Sequence, residues 1–230
     1  MKRSREENEM VGVGKCVNND KADEFDIFVS KDSFKFNAAH FIAYKGFRER
    51  LHGHNYRVSV RMRGSRIGHD GYVIDFGVIK SCVKSICKSM NEHFILPARS
   101  DAIRIEYDDS NAKLTCEDGA KFHIPLSDCL VLPIVHSSVE EISSYILGKL
   151  LSRVGLDELK RRGIRIVELS VSEAPGQEAT IRRYLYGSHS DQDKNTSSSS
   201  TTGKPRTCLS NVLTASTTTT TTTTTTKKSK

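Results

Sequence analysis

The sequence has 230 residues, 37 % hydrophobic and 27 % charged, with a net charge of +7, a globular composition with room for one domain and tails. Among its longest apolar runs is Cys129-Leu130-Val131-Leu132-Pro133-Ile134-Val135, far short of the roughly 20 residues of a membrane-spanning helix. Met1–Glu9 leads into no apolar segment, so a cytoplasmic chain without a secretory leader is expected.

More than half of the charge excess lies after Gly187, where Lys194, Lys204, Arg206, Lys227, Lys228 and Lys230 face only Asp191 and Asp193. The modest remainder suits an anionic small molecule as well as RNA. Cys16, Cys82, Cys87, Cys116, Cys129 and Cys208 show no C-x-x-C spacing, so core residues or free thiols are expected.

Residues 1–24 are polar and mixed in charge and are expected to be disordered. Phe25, Ile27 and Val29, then Phe34 and Phe36, alternate with polar residues, predicting a strand or hairpin that ends near His40. Tyr56, Val58, Val60 and Met62 alternate with Arg57, Ser59, Arg61 and Arg63 in a second, half-buried strand that stops at Gly64. The Gly68-His69-Asp70-Gly71 cluster predicts a turn into a strand through Tyr72, Val73 and Ile74. The period then changes: Val78, Ile79, Cys82, Val83, Ile86, Cys87 and Met90 predict a helix from about Phe76 to Asn91. Residues 103–124 read as short polar strands around Gly119, a hairpin insertion.

A second helix opens at Ser137-Ser138-Val139-Glu140-Glu141, where two capping boxes fit, and Gly155 ends it. Arg165 to Glu173 and Thr180 to Tyr186 are the last strands. The order β-β-α-β-β-α-β-β predicts an α+β domain over 25–186, an antiparallel sheet with two helices on one face. From 187 to 230 the chain is rich in Ser, Thr and Lys, with an unbroken threonine run from Thr217 to Thr226, and disorder is expected.

His52 and His54 sit two apart at a strand start and so project from one face. Hairpin pairing can bring His40 alongside. Three neutral imidazoles with an open fourth position are what a catalytic zinc takes, and no cysteine nearby suggests a closed structural site. The same residues also read as three unrelated hydrogen-bonding histidines.

Phe36-Asn37-Ala38-Ala39-His40, His52-Gly53-His54-Asn55-Tyr56, Asp75-Phe76, Asn91-Glu92-His93 and Val171-Ser172-Glu173 occur in an order that resembles the 6-pyruvoyl-tetrahydropterin synthase family, which includes the 6-carboxy-tetrahydropterin synthases. The resemblance implies the tunnelling fold, whose subunits assemble so that their strands form a continuous barrel, here as a homohexamer, a dimer of trimers. It implies a zinc-dependent lyase acting on 7,8-dihydroneopterin triphosphate, with Zn2+ on His40, His52 and His54. It further implies that His93 acts with the preceding acid, here Glu92, in a catalytic relay. Glu173 anchors the pterin ring in this reading. Taken alone, His93 is a helix-terminal histidine facing the macrodipole, and Glu173 an exposed strand-end acid.

The sequence departs from the family pattern at one place. Synthases of the animal type place a cysteine base between the first histidine and the H-x-H pair; here that interval holds no cysteine, and its one acidic residue is Glu49. The run Gly46-Phe47-Arg48-Glu49 before Leu51-His52 resembles the branch known from malaria parasites, in which glutamate replaces the cysteine and the product is 6-hydroxymethyl-7,8-dihydropterin, a folate precursor. The alternatives are a pyruvoyl-type synthase of tetrahydrobiopterin chemistry or a carboxy-type synthase. A remoter one is a zinc-stabilised RNA-binding module using Arg57, Arg61 and Arg63, whose alternation equally describes a solvated sheet face or barrel lining.

Overall fold

Alternating apolar residues in the first third of the chain build one long antiparallel pair. The computed structural model describes residues 23–65 and 70–186. In it β1 (Phe25–His40) leads through a miniature hairpin, β2 (Ala43–Tyr44) and β3 (Phe47–Arg48), into β4 (His52–Gly64). The β1–β4 ladder runs from Phe25 opposite Gly64 to His40 opposite His52, with a register shift between Ser30 and Lys35, so β1 is one irregular strand. Phe34, Phe36, Tyr56, Val58, Val60 and Met62 are buried on one face. The β2–β3 turn needs Gly46, whose φ of 81° is open to glycine at no steric cost.

Tyr72, Val73 and Ile74 form no strand, contrary to expectation. They have no ladder partner among the described residues, yet Val73 and Ile74 are buried in the core. Asp70 and Arg162, 2.8 Å apart, tie the segment to the far end of the fold. The turn expected at Gly68-His69 lies outside the described residues. Helix α1 (Phe76–Met90) follows, and Asp75 caps it by accepting from the Gly77 N–H at 2.6 Å. Ile79, Val83, Ile86, Cys87 and Met90 form its buried stripe, and burial pushes the Cys87 thiol up to about 12, which makes it an inert core residue. Cys82, Cys116 and Cys129 are also free thiols; Cys16 and Cys208 lie outside the described residues.

Strand β5 (His93–Pro97) is followed by the insertion, which is three strands and not a single hairpin: β6 (Ile103–Tyr107), β7 (Asn111–Cys116) and β8 (Lys121–Pro125). A 3-10 turn at Leu126–Asp128 leads into β9 (Cys129–Leu132). Then come α2 (Val139–Val154), a short α3 (Leu156–Arg161), β10 (Ile164–Ala174) and β11 (Gln177–Tyr184). The main sheet has the order β11-β10-β4-β1-β5-β9. Because β5 runs parallel to β1 and β9 parallel to β5, the sheet is mixed, where an antiparallel one was expected. The reason is local: Phe94, Ile95 and Leu96 are all buried, so β5 shows no alternation to mark it as a strand.

Helices α1 and α2 cover one face of the sheet, as expected, and Leu159 of the unanticipated α3 joins the same core. A second apolar cluster joins the insertion (Ala112, Leu114, Cys116) to Phe41, Ala43, Phe94 and Leu96. No helix among the described residues is long and apolar enough to cross a membrane. The disorder expected before residue 25 and after residue 186 falls, apart from Asp23 and Glu24, outside the described residues.

Candidate metal centre

The β1–β4 register does what the H-x-H spacing requires. His40 lies directly opposite His52, and Ala38 opposite His54, so three imidazoles share one face at the loop end of the hairpin. One ligand atom from each lies within 4.8 Å of the others. Gly53, between the two β4 histidines, has its α-carbon pressed against β1: a Cβ there would sit 3.2 Å from the Ala38 carbonyl oxygen.

The imidazoles are oriented for ligation by the groups behind them. His40 Nδ1 donates to the Ser137 carbonyl at 2.8 Å, and His52 Nδ1 donates to the Arg50 carbonyl at 2.7 Å. A carbonyl only accepts, so in the neutral form of each ring it is Nε2 that carries the lone pair. His40 is 2 % exposed and its Nε2 is buried without a hydrogen-bond partner among the described residues, a costly arrangement unless a ligand completes it. Burial, assisted by the charges of His52 and His54 and opposed by the Ser137 hydrogen bond, holds His40 below the usual histidine range, in the neutral form that a metal needs. This donor set fits a metal ion.

Ser137 is a site residue that the sequence analysis missed. Of the two capping boxes, the structure uses Ser138, whose hydroxyl accepts from the Glu141 N–H. This frees the Ser137 hydroxyl to donate to the Phe41 carbonyl at 2.8 Å. The Glu141 carboxylate instead accepts from the Val135 and His136 N–H groups at 2.8 and 3.0 Å, and so fixes the loop that presents Ser137 to His40. Glu141→Ala strands two backbone donors and is expected to cost about 1–3 kcal/mol; urea unfolding checks this, and an unchanged midpoint would mean the loop holds without it.

Glu49 is half-buried beside the triad. Its backbone N–H donates to the Ile42 carbonyl, and its Oε2 accepts from the Ile42 N–H, both at 2.9 Å. Its charge raises the proton affinity of both His40 and Tyr56. Tyr56 follows His54 on the same face, its hydroxyl buried and without a partner among the described residues. Glu173 follows the buried Val167, Leu169 and Val171 on the corresponding face of β10, and its charge also acts on Tyr56. Burial foremost, with these two carboxylates, keeps the Tyr56 phenol protonated.

Glu92 and His93 lie at the α1–β5 junction. Glu92 adopts φ 61°, uncommon for a residue with a side chain, and donates its N–H to the Asn37 carbonyl at 2.7 Å. His93 pairs with Ala38 and buries an unpartnered Nδ1. Both line a cavity of about 600 Å³ that His54 also borders. Asn37 and Asn55 are shared with a second cavity, of about 630 Å³, lined by Lys35, Arg57, Lys84 and Lys88. None of these four cations is paired with a carboxylate among the described residues. Two of the arginines considered for RNA are neutralised: Arg61 and Arg63 meet Asp26 at 3.0 and 3.3 Å, and Arg63 also meets the buried Glu168 at 3.6 Å.

The sequence profile of one family, 6-pyruvoyl tetrahydropterin synthase, matches residues 29–184. A crystal structure of 6-pyruvoyl tetrahydropterin synthase from Plasmodium vivax is 49 % identical, with a TM-score of 0.69, covering 70 % of this chain and 99 % of that one. A second Plasmodium vivax structure, of a variant whose catalytic glutamate is replaced by alanine, is 48 % identical with a TM-score of 0.68 over 70 % of this chain and 99 % of that one. A putative 6-carboxy-5,6,7,8-tetrahydropterin synthase of Methanocaldococcus jannaschii is 32 % identical over 151 residues, 66 % of this chain and 91 % of the relative.

Proposed function

The chain belongs to the 6-pyruvoyl tetrahydropterin synthase family, and from that premise we propose that it is a zinc-dependent lyase that converts 7,8-dihydroneopterin triphosphate to 6-hydroxymethyl-7,8-dihydropterin, a folate precursor. We assign this activity to a cytoplasmic protein whose catalytic domain is residues 25–186. The observation that carries the reading is the Glu49 carboxylate, close enough to act on His40 and held by the Ile42 N–H, in an interval that offers no thiol. The Plasmodium vivax relative, whose catalytic residue is a glutamate, supports it.

His40, His52 and His54 would hold the metal. Bound zinc would polarise the substrate's side-chain hydroxyls and lower their pKa. Glu49 takes the proton of the 2′-hydroxyl. The electron pair of that O–H bond becomes the carbonyl of a departing aldehyde that carries the triphosphate. The pair from the broken C1′–C2′ bond moves into the pterin ring, and a proton returned to C1′ completes the hydroxymethyl group. His93, with Glu92 beside it, is the relay for that return. Glu173 anchors the ring by accepting two parallel hydrogen bonds from the pterin amino group and its neighbouring ring N–H.

The four cations of the basic cavity, none paired with a carboxylate among the described residues, support an anionic substrate tail. Among the described residues the outer edge of β11 carries no partner strand and that of β1 is largely unpaired, which supports assembly through edge pairing into a barrel, with a homohexamer as the expected state.

Incubation of the purified protein with dihydroneopterin triphosphate, with products separated by mass, tests the reading. 6-Hydroxymethyl-dihydropterin is expected; a pyruvoyl or carboxy pterin as the main product would overturn it in favour of the activity named for the archaeal relative or for the family. Lys84→Glu with Lys88→Glu should raise KM about tenfold, about 1.4 kcal/mol of binding, and less so in high salt.

A further inference from the structure

The β2–β3 hairpin that delivers Glu49 has two residues per strand, too few to hold a conformation by itself. Its supports come from the insertion, about 70 residues further along the chain. In the β7–β8 turn, Asp118 Oδ1 accepts from the Ala120 N–H at 3.0 Å, which leaves Oδ2 directed outward, and Oδ2 receives Arg48 Nε at 2.7 Å. The neighbouring Glu117 accepts from the Gly46 N–H at 3.1 Å. The Arg48 guanidinium lies near the rings of Phe41 and Phe122, 5.9 and 5.6 Å from their centres, and those rings stack on each other at 5.0 Å. From this fixed position Arg48 Nη1 donates to the backbone carbonyl of Glu49 at 2.8 Å.

The backbone of Glu49 is thus held at its carbonyl by Arg48 and at its N–H by Ile42, and its Oε2 by the Ile42 N–H. Its Oε1 is left without a hydrogen-bond partner among the described residues. An exposed ion pair such as Arg48–Asp118 contributes little stability. Its value here is geometric, because a planar guanidinium that engages Asp118 through Nε and the Glu49 carbonyl through Nη1 fixes direction as well as distance.

We propose that Arg48 is a positioning residue for the reaction: anchored on Asp118 and on the Phe41–Phe122 stack, it sets the place of the Glu49 carboxylate, which makes the three-stranded insertion a support of the active site. This rests on the assignment of Glu49 as base, and the test separates the two. Arg48→Met and Asp118→Ala are made in the natural chain and in Glu49→Gln, with metal content, kcat, KM and the hydrogen exchange of the Ile42 and Glu49 amides measured for each.

In the natural chain, kcat should fall about 10²-fold, as a misplacement of about 1 Å does, with KM and metal content unchanged. Exchange at the two amides should quicken while that of β4 stays slow. In Glu49→Gln the same changes should have no further effect on kcat. Arg48→Lys, which keeps the charge but loses the fork, should not rescue. Equal loss of kcat in both backgrounds, or unaltered amide protection in Arg48→Met, would overturn the proposal. Should Glu49→Gln itself retain full turnover, the assignment of the base falls with it, and the exchange measurement alone then decides whether Arg48 holds the loop.

Discussion

His52→Ala and His54→Ala should each yield a folded protein with no stoichiometric metal and no detectable turnover. The expectation follows from how the site is built. The three imidazoles stand at the loop end of the β1–β4 hairpin, His52 exposed and His54 half-exposed, while the residues that hold the hairpin together, Phe36, Tyr56, Val58, Val60 and Met62, lie in the core behind them. Removing either β4 imidazole therefore takes away a ligand and leaves the packing alone. Two ligands do not make the three-point site that a catalytic zinc requires. Metal analysis by mass spectrometry should give one zinc per subunit for the natural protein and close to none for either variant, with unfolding midpoints little changed. Ser137 reaches the site through its backbone carbonyl, so disturbing its loop should weaken metal binding less, by about 10- to 100-fold. Chelator-treated protein that keeps full turnover would end the zinc assignment.

How much of this centre was legible in the sequence depends on the distance over which each contact is made. His52 and His54 declare themselves by a two-residue spacing, and hairpin pairing supplies His40. Glu49 stands out because it is the only acid in a short interval. All four are local in the sense that one hairpin and its loop contain them. The groups that orient them are not. Ser137 acts on His40 from 97 residues away, and its motif fits two adjacent capping positions, so nothing in the spacing tells which serine caps and which faces the site. Asp118 acts on Arg48 from 70 residues away and looks like an ordinary turn aspartate. The same holds for the fold: β1 and β4 show themselves by alternation, whereas β5 is buried on both faces and α3, at six residues, is too short to show a period. Tyr72–Ile74 errs in the opposite direction, its apolar residues filling the core without a partner strand.

Glu49→Gln should lower turnover by about 10²- to 10⁴-fold, the range a positioned base contributes, equivalent to roughly 3–5 kcal/mol in the barrier. The substitution keeps the length of the side chain and an oxygen that can accept from the Ile42 N–H, so the loop should stay as it is. The amide has no basicity with which to take the 2′-hydroxyl proton. Metal content should be unchanged, because the ligand set is complete without residue 49, and pterin affinity should persist through Glu173. The loss should therefore appear in kcat, with KM close to the natural value. Glu49→Cys asks a separate question: a thiol there sits two carbons closer to the backbone and lacks the second oxygen that Ile42 holds, so its register decides whether pyruvoyl product forms or activity is simply lost. Glu49→Gln is the decisive case. A near-natural rate of 6-hydroxymethyl-dihydropterin formation would remove Glu49 from the mechanism and pass the proton abstraction to His93, whose buried Nδ1 has no partner among the described residues.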